Sequence, residues 1–336
     1  MNHKRNTTSI YDIAKDAQVS PATVSRVLSK NGYPVAEPTR RKVLEIADKL
    51  NYAPRTVGLP GASDVVVMLP NLSNQFYVTL LSSIEANLRF YGLNTVFMNT
   101  RGDLSLERQL VKNLEKRLTL KLIVAPVSDD INHFYNLSNS QSPIVFIERP
   151  KAWLNNCTVS YDYAKAGRMM AEYVISRGCH NLSFIGTPLT RNSRKQLFEG
   201  AKSAIQQAGL ALDQSKIILA NEEYSVRQEI SPFNMGEQLA KHLMEKNVYP
   251  PDAVLCSNDM IALGALRKFV EMGYNVPKEI SIIGFDNIFN SAMAYPPLTT
   301  IDQCTNNMGA LAVNYLFNQN KHVILGPHLV IRDTVK

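Results

Sequence analysis

Eight short apolar runs, spaced along residues 65–285, constrain the fold of this chain more than any other feature. The runs are Val65–Leu69, Thr95–Met98, Leu122–Ala125, Ile144–Ile147, Leu182–Ile185, Ile217–Ala220, Ala253–Cys256 and Ile280–Phe285. Amphipathic stretches such as Tyr163–Arg177 and Met260–Met272 separate them. Short apolar strands that alternate with helices are typical of βαβ units and parallel sheets. The sequence therefore predicts an α/β body of two lobes, one on either side of Lys151–Ser160.

The first sixty residues differ from the rest of the chain in charge. They contain 10 Lys and Arg against 5 Asp and Glu, so they hold five of the seven net positive charges of the 336 residues. A chain of this length is expected to form more than one domain, and a basic head on a nearly neutral body indicates nucleic-acid binding. The predicted domains are a head at 1–53, a linker at 54–64 and a body at 65–336.

The head has the pattern of three short helices. The first is predicted to begin near Ser9, where Ser9 and Asp12 resemble a capping box and Ile10, Ile13, Ala14 and Ala17 form an apolar stripe. A tight turn at Gln18-Val19 leads to a second helix with Ser20 as N-cap, Pro21 at the first position and a buried stripe of Val24, Val27 and Leu28. The third is predicted over Thr39–Leu50, with Val43, Leu44, Ile46, Ala47 and Leu50 facing inward. Three such helices form a helix-turn-helix head, and a three-helix protein-interaction module is the alternative.

The second helix of a helix-turn-helix lies in the major groove of DNA. Arg26 is the long donor on its exposed face, and an Arg reads guanine through two parallel hydrogen bonds. Thr23, Ser25 and Tyr11 are better suited to phosphate oxygens, which fix the register without reading bases. The candidate DNA-binding residues of the head are Tyr11, Ser20, Pro21, Ala22, Thr23, Ser25 and Arg26.

The segment Ser9–Leu28, SIYDIAKDAQVSPATVSRVL, resembles the head of the LacI/GalR family of bacterial transcription regulators. The resemblance implies a dimer on a pseudo-palindromic double-stranded DNA operator, with bases read by Pro21, Ala22 and Arg26. Segments of the body are also similar to that family, namely Val159–Gly186, Leu255–Ala265, Ile280–Asn287 and Pro297–Asp302. They imply a two-lobed body like that of periplasmic sugar-binding proteins, and a repressor controlled by a small-molecule effector.

The linker departs from the family pattern. The resemblance implies a short helix here whose Leu is wedged into the minor groove, and Leu59 is the candidate. Gly58, Pro60 and Gly61 surround it, and they oppose a helix by about 1 kcal/mol for each Gly and about 3 kcal/mol for Pro. A Leu59 wedge and a flexible tether therefore both remain open.

Polar residues follow several predicted strands, where ligands of open parallel sheets bind. The resemblance assigns cleft positions to Ser73, Asn74, Phe76, Glu148, Asn258, Asp259 and Asp286, although Asn258 and Asp259 are equally suited to cap the next helix. Relatives have an Arg three residues before the Gly that corresponds to Gly200, but Leu197 stands there, so Arg194 or Lys195 is the candidate. A sugar is the expected effector, and a nucleobase, a phosphorylated sugar or a protein co-effector stays open.

Other classes of protein lack support in the sequence. Motifs of nucleotide-binding and hydrolytic enzymes are absent, and the four cysteines and six histidines have no metal-ligand spacing, so we expect no enzyme, cofactor or metal site. The N-terminus is basic without an apolar stretch, and no run approaches the ~18 apolar residues of a membrane helix. We therefore expect a cytoplasmic regulator rather than an exported transport protein, and a homodimer held together by the body.

Overall fold

The computed structural model describes residues 10–28, 35–50, 64–116, 120–138, 143–148, 157–221, 231–318 and 322–336. The chain divides into two compact units, Met1–Leu59 and Pro60–Lys336. The predicted linker at 54–64 lies outside the described residues except for Asp64, so the predicted head and linker boundaries stay predictions.

The head contains the three expected helices. They are α1 (Ile10–Ala17), α2 (Pro21–Leu28) and α3 (Glu37–Lys49), so the third begins two residues before the predicted Thr39. Their common core is formed by Ile13, Ala14, Ala17, Val24, Val27, Val43 and Ala47, each at most 6% exposed. The inward prediction for Leu44 was wrong, since this side chain is 45% exposed. Val43 and Ala47 form the buried stripe one turn apart, and Leu44, rotated by about 100° from Val43, leaves it.

Two backbone hydrogen bonds close the turn between α1 and α2. The Val19 amide donates to the Ala14 carbonyl at 3.0 Å and the Gln18 amide donates to the Lys15 carbonyl at 3.3 Å, which is the Schellman pattern of a helix C-terminus. Gln18 has a φ of +55°, in the left-handed region where side chains with a Cβ are strained. The predicted turn is therefore present, but a non-glycine residue occupies its left-handed position.

Gln18→Gly is expected to stabilise the head by about 0.5–1 kcal/mol, because glycine adopts a positive φ without steric cost. Amide hydrogen exchange of the full chain measures this, and the protected amides of α1 and α2 should exchange more slowly. Gln109→Gly is the matched control, because Gln109 lies within the ordinary helix Leu104–Leu114, where the same change costs about 1 kcal/mol. Faster exchange in the Gln18→Gly head would contradict the prediction.

The body consists of alternating strands and helices. Its described strands are β1 (Asp64–Leu69), β2 (Asn94–Asn99), β3 (Lys121–Val124), β4 (Ile144–Ile147), β5 (Cys157–Tyr161), β6 (Leu182–Gly186), β7 (Ile217–Leu219), β8 (Ala253–Cys256), β9 (Ser281–Ile283), β10 (Thr300–Asp302), β11 (His322–Leu325) and β12 (His328–Val330). Its described helices are α4 (Gln75–Phe90), α5 (Leu104–Leu114), α6 (Tyr135–Ser138), α7 (Tyr163–Ser176), α8 (Asn192–Gln207), α9 (Pro232–Lys246), α10 (Asp259–Glu271), α11 (Phe289–Met293) and α12 (Thr305–Tyr315). Each predicted run contains one strand, although the run Ile280–Phe285 is strand only over β9.

The first lobe is built on a parallel sheet with the strand order β11-β5-β4-β3-β1-β2. Strand β1 is buried on both faces, with Val65, Val67 and Leu69 in one core cluster and Val66 and Met68 in another. Burial on both sides explains why the strand is a continuous apolar run rather than an alternating one. Helices α4 and α12 pack together against this sheet.

The second lobe contains the parallel sheet β7-β6-β8-β9. Helices α7 and α8 pack at very close range, because both carry glycine at the contact. A Cβ at Gly200 would lie 2.0 Å from the Ala164 carbonyl oxygen, and one at Gly167 would lie 1.8 Å from that of Leu197. This approach fixes the position of α8, whose N-terminal turn borders the cavity described below.

The segments that connect the lobes were not predicted. Strand β5 begins inside Lys151–Ser160, the segment expected to divide the two lobes, and ends at Tyr161. It pairs with β4, so it belongs to the sheet of the first lobe. Strand β10 follows the second lobe and pairs with β12 in an antiparallel ladder, and α12 returns to the first lobe. Strands β10 and β12 have three residues each, which is too short to show a periodicity in the sequence. They also pair with each other across a long stretch of chain, and local sequence does not show such a pairing.

Candidate functional site

A cavity of about 140 Å³ lies between the two lobes of the body. In both sheets the first strand in sequence stands between the second and the third, as β2-β1-β3 and β7-β6-β8. Ligands of open parallel sheets bind at the carboxyl edge of such an arrangement. Polar residues of the lining that follow strands are Asn71 and Asn74 after β1, Glu148 after β4, Thr187 after β6, Ser257 and Asn258 after β8, Asp286 after β9 and Gln303 after β10.

Most of the residues predicted to bind an effector line this cavity. They are Asn74, Phe76, Glu148, Arg194, Asn258 and Asp286. Of the two cations considered to replace the missing Arg, Arg194 lines the cavity, whereas Lys195 is exposed and does not. Ser73 is also outside the lining, and its amide and hydroxyl donate to Oδ1 of Asn71 at 3.1 and 3.2 Å. Ser73 thus shapes the loop that presents Asn71.

Asp259 does not line the cavity either. It is fully buried, and its carboxylate accepts hydrogen bonds from the Ser291 hydroxyl at 2.6 Å, the Ile288 amide at 3.0 Å and the Thr300 hydroxyl. Burial raises the pKa of Asp259, although these hydrogen bonds lower it. Because Thr300 belongs to β10, Asp259 ties the start of α10 to the segment that crosses between the lobes.

Two asparagines of the cavity also cap helices. Oδ1 of Asn74 accepts from the Phe76 amide at 3.0 Å at the start of α4, and Oδ1 of Asn258 accepts from the Ile261 amide at 2.8 Å at the start of α10. Each cap fixes the side-chain oxygen, so the NH₂ group of the same side chain is oriented as a donor. Capping and cavity lining, which the sequence left as alternatives for Asn258, therefore occur together.

Asp286 is the most deeply buried carboxyl group of the cavity lining, with 5% exposure. Its Oδ1 accepts a hydrogen bond from the Gln303 side-chain amide, whereas its Oδ2 and Oε1 of Gln303 are buried without a partner among the described residues. Burial and the nearby Asp259 raise the pKa of Asp286 well above its usual value, although the amides of Gln303 and Asn74 lower it. Two unpaired buried acceptors are costly, and a ligand that donates hydrogen bonds removes that cost.

The pH dependence of stability tests whether the Asp286 carboxyl group has a raised pKa in the folded chain. Because its folded pKa is raised, the folded chain holds a proton that the unfolded chain releases, so this stabilisation is present below the unfolded pKa of about 3.9 and is lost as pH rises toward the folded pKa. Asn is neutral at every pH, so the Asp286→Asn variant does not lose this stabilisation as pH rises. We therefore expect its free energy of unfolding, relative to that of the wild type, to increase from pH 4 to pH 7.5. Urea unfolding of both proteins measures the difference.

The exposed Asp213→Asn variant is the matched control, because 64% of its side chain contacts solvent. Its stability relative to the wild type should change little over the same range. A difference between Asp286→Asn and wild type that stays constant from pH 4 to pH 7.5 would show that Asp286 titrates normally.

A salt bridge joins the two lobes at the cavity. Oε2 of Glu148, in the first lobe, lies 2.5 Å from Nη2 of Arg191, in the second, and both side chains are at most 15% exposed. The Tyr163 hydroxyl donates to Oε1 of Glu148 at 3.4 Å. Burial lowers the pKa of Arg191, but Glu148 and the hydroxyls of Tyr77 and Tyr163 outweigh this and raise it, so Arg191 is charged.

Sequence reasoning missed several residues of the cavity lining. Arg191, Gln303, Tyr77 and Tyr163 all contribute to it. Arg191 directly precedes α8, far from the position three residues before Gly200 where the family pattern predicts a cation. Gln303 directly follows β10, so the rule that polar residues after strands face ligands would have found it if this short strand had been predicted.

The head presents part of its predicted DNA-binding face. Oγ of Ser20 accepts from the Thr23 amide at 3.1 Å, which confirms the predicted N-cap of α2, and the Ser20 and Thr23 hydroxyls are 2.9 Å apart. Val24 and Val27 of α2 are buried, as predicted, and the side chain of Leu28 lies outside the described residues. The side chains of Tyr11, Ala22, Ser25 and Arg26, and all of Leu59, lie outside the described residues. The DNA contacts therefore stay predictions.

None of the helices in the described part of the chain has the length and apolar character that would let it cross a membrane. Within the same residues, no group of three or more His, Cys, Asp or Glu side chains is arranged to hold a metal ion.

A helix-turn-helix head joined to a two-lobed body with a polar cavity defines a transcription regulator that binds DNA and an effector. Residues 9–55 match the lacI family of bacterial regulatory proteins, and residues 171–335 match the periplasmic binding protein-like domain. Catabolite control protein A of Staphylococcus epidermidis is 30% identical, over 98% of this chain and 100% of that protein. The chain therefore belongs to the LacI family, whose members are transcription regulators and not enzymes.

Solved structures share the whole architecture. A complex of the transcriptional regulator CelR with cellobiose has a TM-score of 0.70 and 21% identity, over 97% of this chain and 99% of that one. The Lac repressor dimer bound to operator and an anti-inducer has a TM-score of 0.68 and 23% identity, over 98% of this chain and 99% of that one. Because both structures are less than 25% identical to this chain, they show that the fold is shared.

Proposed function

We propose that this protein is a repressor that binds a specific operator as a homodimer and whose operator affinity is controlled by a sugar or sugar derivative. One observation carries the effector part of the proposal. The cavity between the lobes contains two buried acceptors, Oδ2 of Asp286 and Oε1 of Gln303, that lack donors among the described residues. A ligand with hydroxyl groups supplies such donors.

The chemistry of the lining fits a sugar. Asp286 and Gln303 are hydrogen-bonded to each other, so their unpaired acceptors are close together and suit two neighbouring hydroxyl groups. Rings of Phe76, Tyr163 and Phe285 also line the cavity and offer surface for the apolar C–H groups of a sugar ring. A protein of the same fold, CelR, has been solved with cellobiose, which supports the sugar class.

A nucleobase is the second candidate, because the same aromatic side chains can stack on a planar ring. The sugar and the nucleobase differ in the hydrogen-bond donors that they offer to the two buried acceptors. A nucleobase holds its N–H donors at fixed positions in the plane of one ring, whereas a sugar has neighbouring hydroxyl groups that rotate to meet each acceptor. The two unpaired acceptors therefore favour the sugar.

In the proposed operator complex α2 lies in the major groove. Arg26 reads a guanine, Pro21 and Ala22 approach the bases at the start of the helix, and the phosphate contacts come from Tyr11, Ser20, Thr23 and Ser25. Leu59 enters the minor groove at the operator centre. The Lac repressor structure, a dimer on its operator, supports two heads on two half-sites. Because the head is small, the dimer contacts are assigned to the body.

Operator selection tests the proposal. Fragments of the source genome are bound to the full chain, the recovered site is compared with a scrambled one at fixed salt, and the small molecules metabolised by the products of neighbouring genes are titrated in. We expect a palindromic site preferred by about 10³-fold or more and an operator affinity that changes with a sugar. Binding without sequence preference, with and without these compounds, would refute the proposal.

A further inference from the structure

The N-terminus of helix α8 has no cap from its own sequence. Arg191 stands at the N-cap position and makes no side-chain hydrogen bond to the helix. An arginine side chain has only donors, so it cannot accept from the free amides of a first turn. The Asn192 amide, the first of α8, instead donates to Oδ2 of Asp129 at 2.7 Å. Asp129 follows β3 in the first lobe, so one lobe supplies the cap of a helix in the other.

The loop that carries Asp129 is fixed within the first lobe. Glu107, a fully buried residue of α5, accepts from the Val127 amide at 2.8 Å through its Oε2. Its Oε1 lies 2.9 Å from Nε2 of His133. All of these groups belong to the first lobe, so their contacts persist when the lobes separate. The first lobe therefore presents the Asp129 carboxylate to α8 in a fixed position.

A second carboxylate of the first lobe meets the same helix end. Glu148 pairs through Oε2 with Arg191, directly beside the capped amide, and both side chains are at most 15% exposed. Its Oε1 accepts from the hydroxyl of Tyr163, which begins α7 in the second lobe. Separation of the lobes breaks all of these contacts together. It also leaves the first turn of α8 without its cap.

The Asp129 cap is separate from the effector cavity. Asp129 and Asn192 do not line that cavity, but they line a neighbouring cavity of about 230 Å³. Glu148 lies at the boundary, since it lines both cavities. An effector can therefore bind without displacing the Asp129 cap, and the cap can form without an effector.

We propose that Asp129 is a cross-lobe cap of α8 and that, together with the Glu148–Arg191 pair, it keeps the lobes closed without an effector. Its carboxylate provides an acceptor and a negative charge at the positive end of the helix. The lining residues of both lobes are then in place before an effector binds, which raises the affinity for the effector. This inference concerns the effector-free chain and goes beyond the proposed function.

Amide hydrogen exchange at Asn192 measures this closure in the full chain with no effector present. The first amides of a helix have no acceptor within the helix, so protection of the Asn192 amide depends on Asp129. In the wild type we expect this amide to exchange at least about tenfold more slowly than a free amide. Nuclear magnetic resonance resolves the single amide. An Asn192 amide that exchanges freely in the wild type would overturn the proposal.

Two substitutions at Asp129 and one beside it form a matched set. Asp129→Ala should bring the Asn192 amide close to the rate of a free amide. Asp129→Asn keeps an acceptor oxygen, and Asn is a good N-cap, so it should retain most of the protection. Asp130→Ala removes a charge from the same loop, where Asp130 accepts from the Asn132 amide, and should leave Asn192 unchanged. Equal exchange at Asn192 in Asp129→Ala and the wild type would overturn the proposal.

Glu148→Ala distinguishes closure of the lobes from a local contact. The variant keeps Asp129 and Asn192 but lacks the second cross-lobe pair. Because both contacts break when the lobes open, protection of the Asn192 amide should fall about tenfold, while the interior amides of α8 keep theirs. An unchanged Asn192 amide in Glu148→Ala would refute cross-lobe closure. Neither effector nor operator takes part in these measurements, so their outcome is independent of the proposed function.

Discussion

Asp286→Asn should raise the effector concentration that half-maximally changes operator affinity by about 10- to 100-fold. Leaving a buried polar group without its hydrogen-bond partner costs about 1–3 kcal/mol, and tenfold in affinity corresponds to about 1.4 kcal/mol. Asn keeps one acceptor, which serves Gln303, but it replaces the unpaired Oδ2 with a donor that faces the hydroxyl group of the effector. Fluorescence anisotropy of labelled operator, titrated with the effector at fixed salt, measures the midpoint.

The operator affinity of Asp286→Asn without effector should remain within about twofold of the wild type, because Asp286 belongs to the body and the head contacts the DNA. Asp213→Asn, an exposed change in the same lobe, should alter neither quantity. An unchanged midpoint in Asp286→Asn would remove Asp286 from the effector site. Loss of operator binding without effector would indicate damage to the fold.

Control of DNA binding requires that the effector bind one arrangement of the lobes more tightly than another. The cavity is suited to this, because its lining comes from both lobes and from the segment that joins them. Asn74 and Glu148 belong to the first lobe, Arg194 and Asp286 belong to the second, and Gln303 directly follows the crossing strand β10. A ligand that contacts all of them stabilises the arrangement in which they converge. The salt bridge between Glu148 and Arg191 favours the same arrangement from within the protein.

The sequence was most informative where local periodicity decides the structure. The continuous apolar runs of β1 to β4 and β6 to β8 indicated the strands of parallel sheets, and the stripes of α1 and α2 indicated the head. The wrong prediction for Leu44 also comes from periodicity. Periodicity shows which residues of a helix share an apolar face, but it does not show how much of that face the neighbouring helices cover. In a head of three short helices that face is narrow.

The parts of the site that the sequence did not reveal depend on contacts between distant segments. Gln303 reaches Asp286 because β10 crosses between the lobes, and Arg191 reaches Glu148 because α8 and β4 meet across the cavity. Neither pair leaves a signal in local spacing. Asp259 shows the converse, since its position after β8 suggested a ligand contact, whereas the crossing strand supplies the Thr300 hydroxyl that occupies its carboxylate. Polar residues after strands thus identify the edge of the cavity, and tertiary contacts decide which of them face it.

Arg26→Ala is expected to lower affinity for the specific operator by about 10- to 100-fold while lowering affinity for random DNA only slightly. A bidentate contact between Arg and guanine contributes about 1–3 kcal/mol of discrimination against the wrong base, and random DNA does not offer that contact at a fixed place. The burial of Val24 and Val27 sets the apolar side of α2 against α1 and α3, and position 26 is the long cationic side chain of the helix. Competition binding at fixed salt measures both affinities.

Two further variants separate base reading from charge. Tyr11→Phe removes a proposed phosphate contact, so it should weaken binding to operator and random DNA by the same factor. Arg41→Ala removes one charge from α3, where the side chain is 81% exposed, and it should change the operator preference little. If Arg26→Ala and Tyr11→Phe reduce operator and random binding in the same ratio, Arg26 contributes only charge. Sequence would then have to be read by Pro21 and Ala22 or through the shape of the DNA, because no other side chain of α2 carries a bidentate donor.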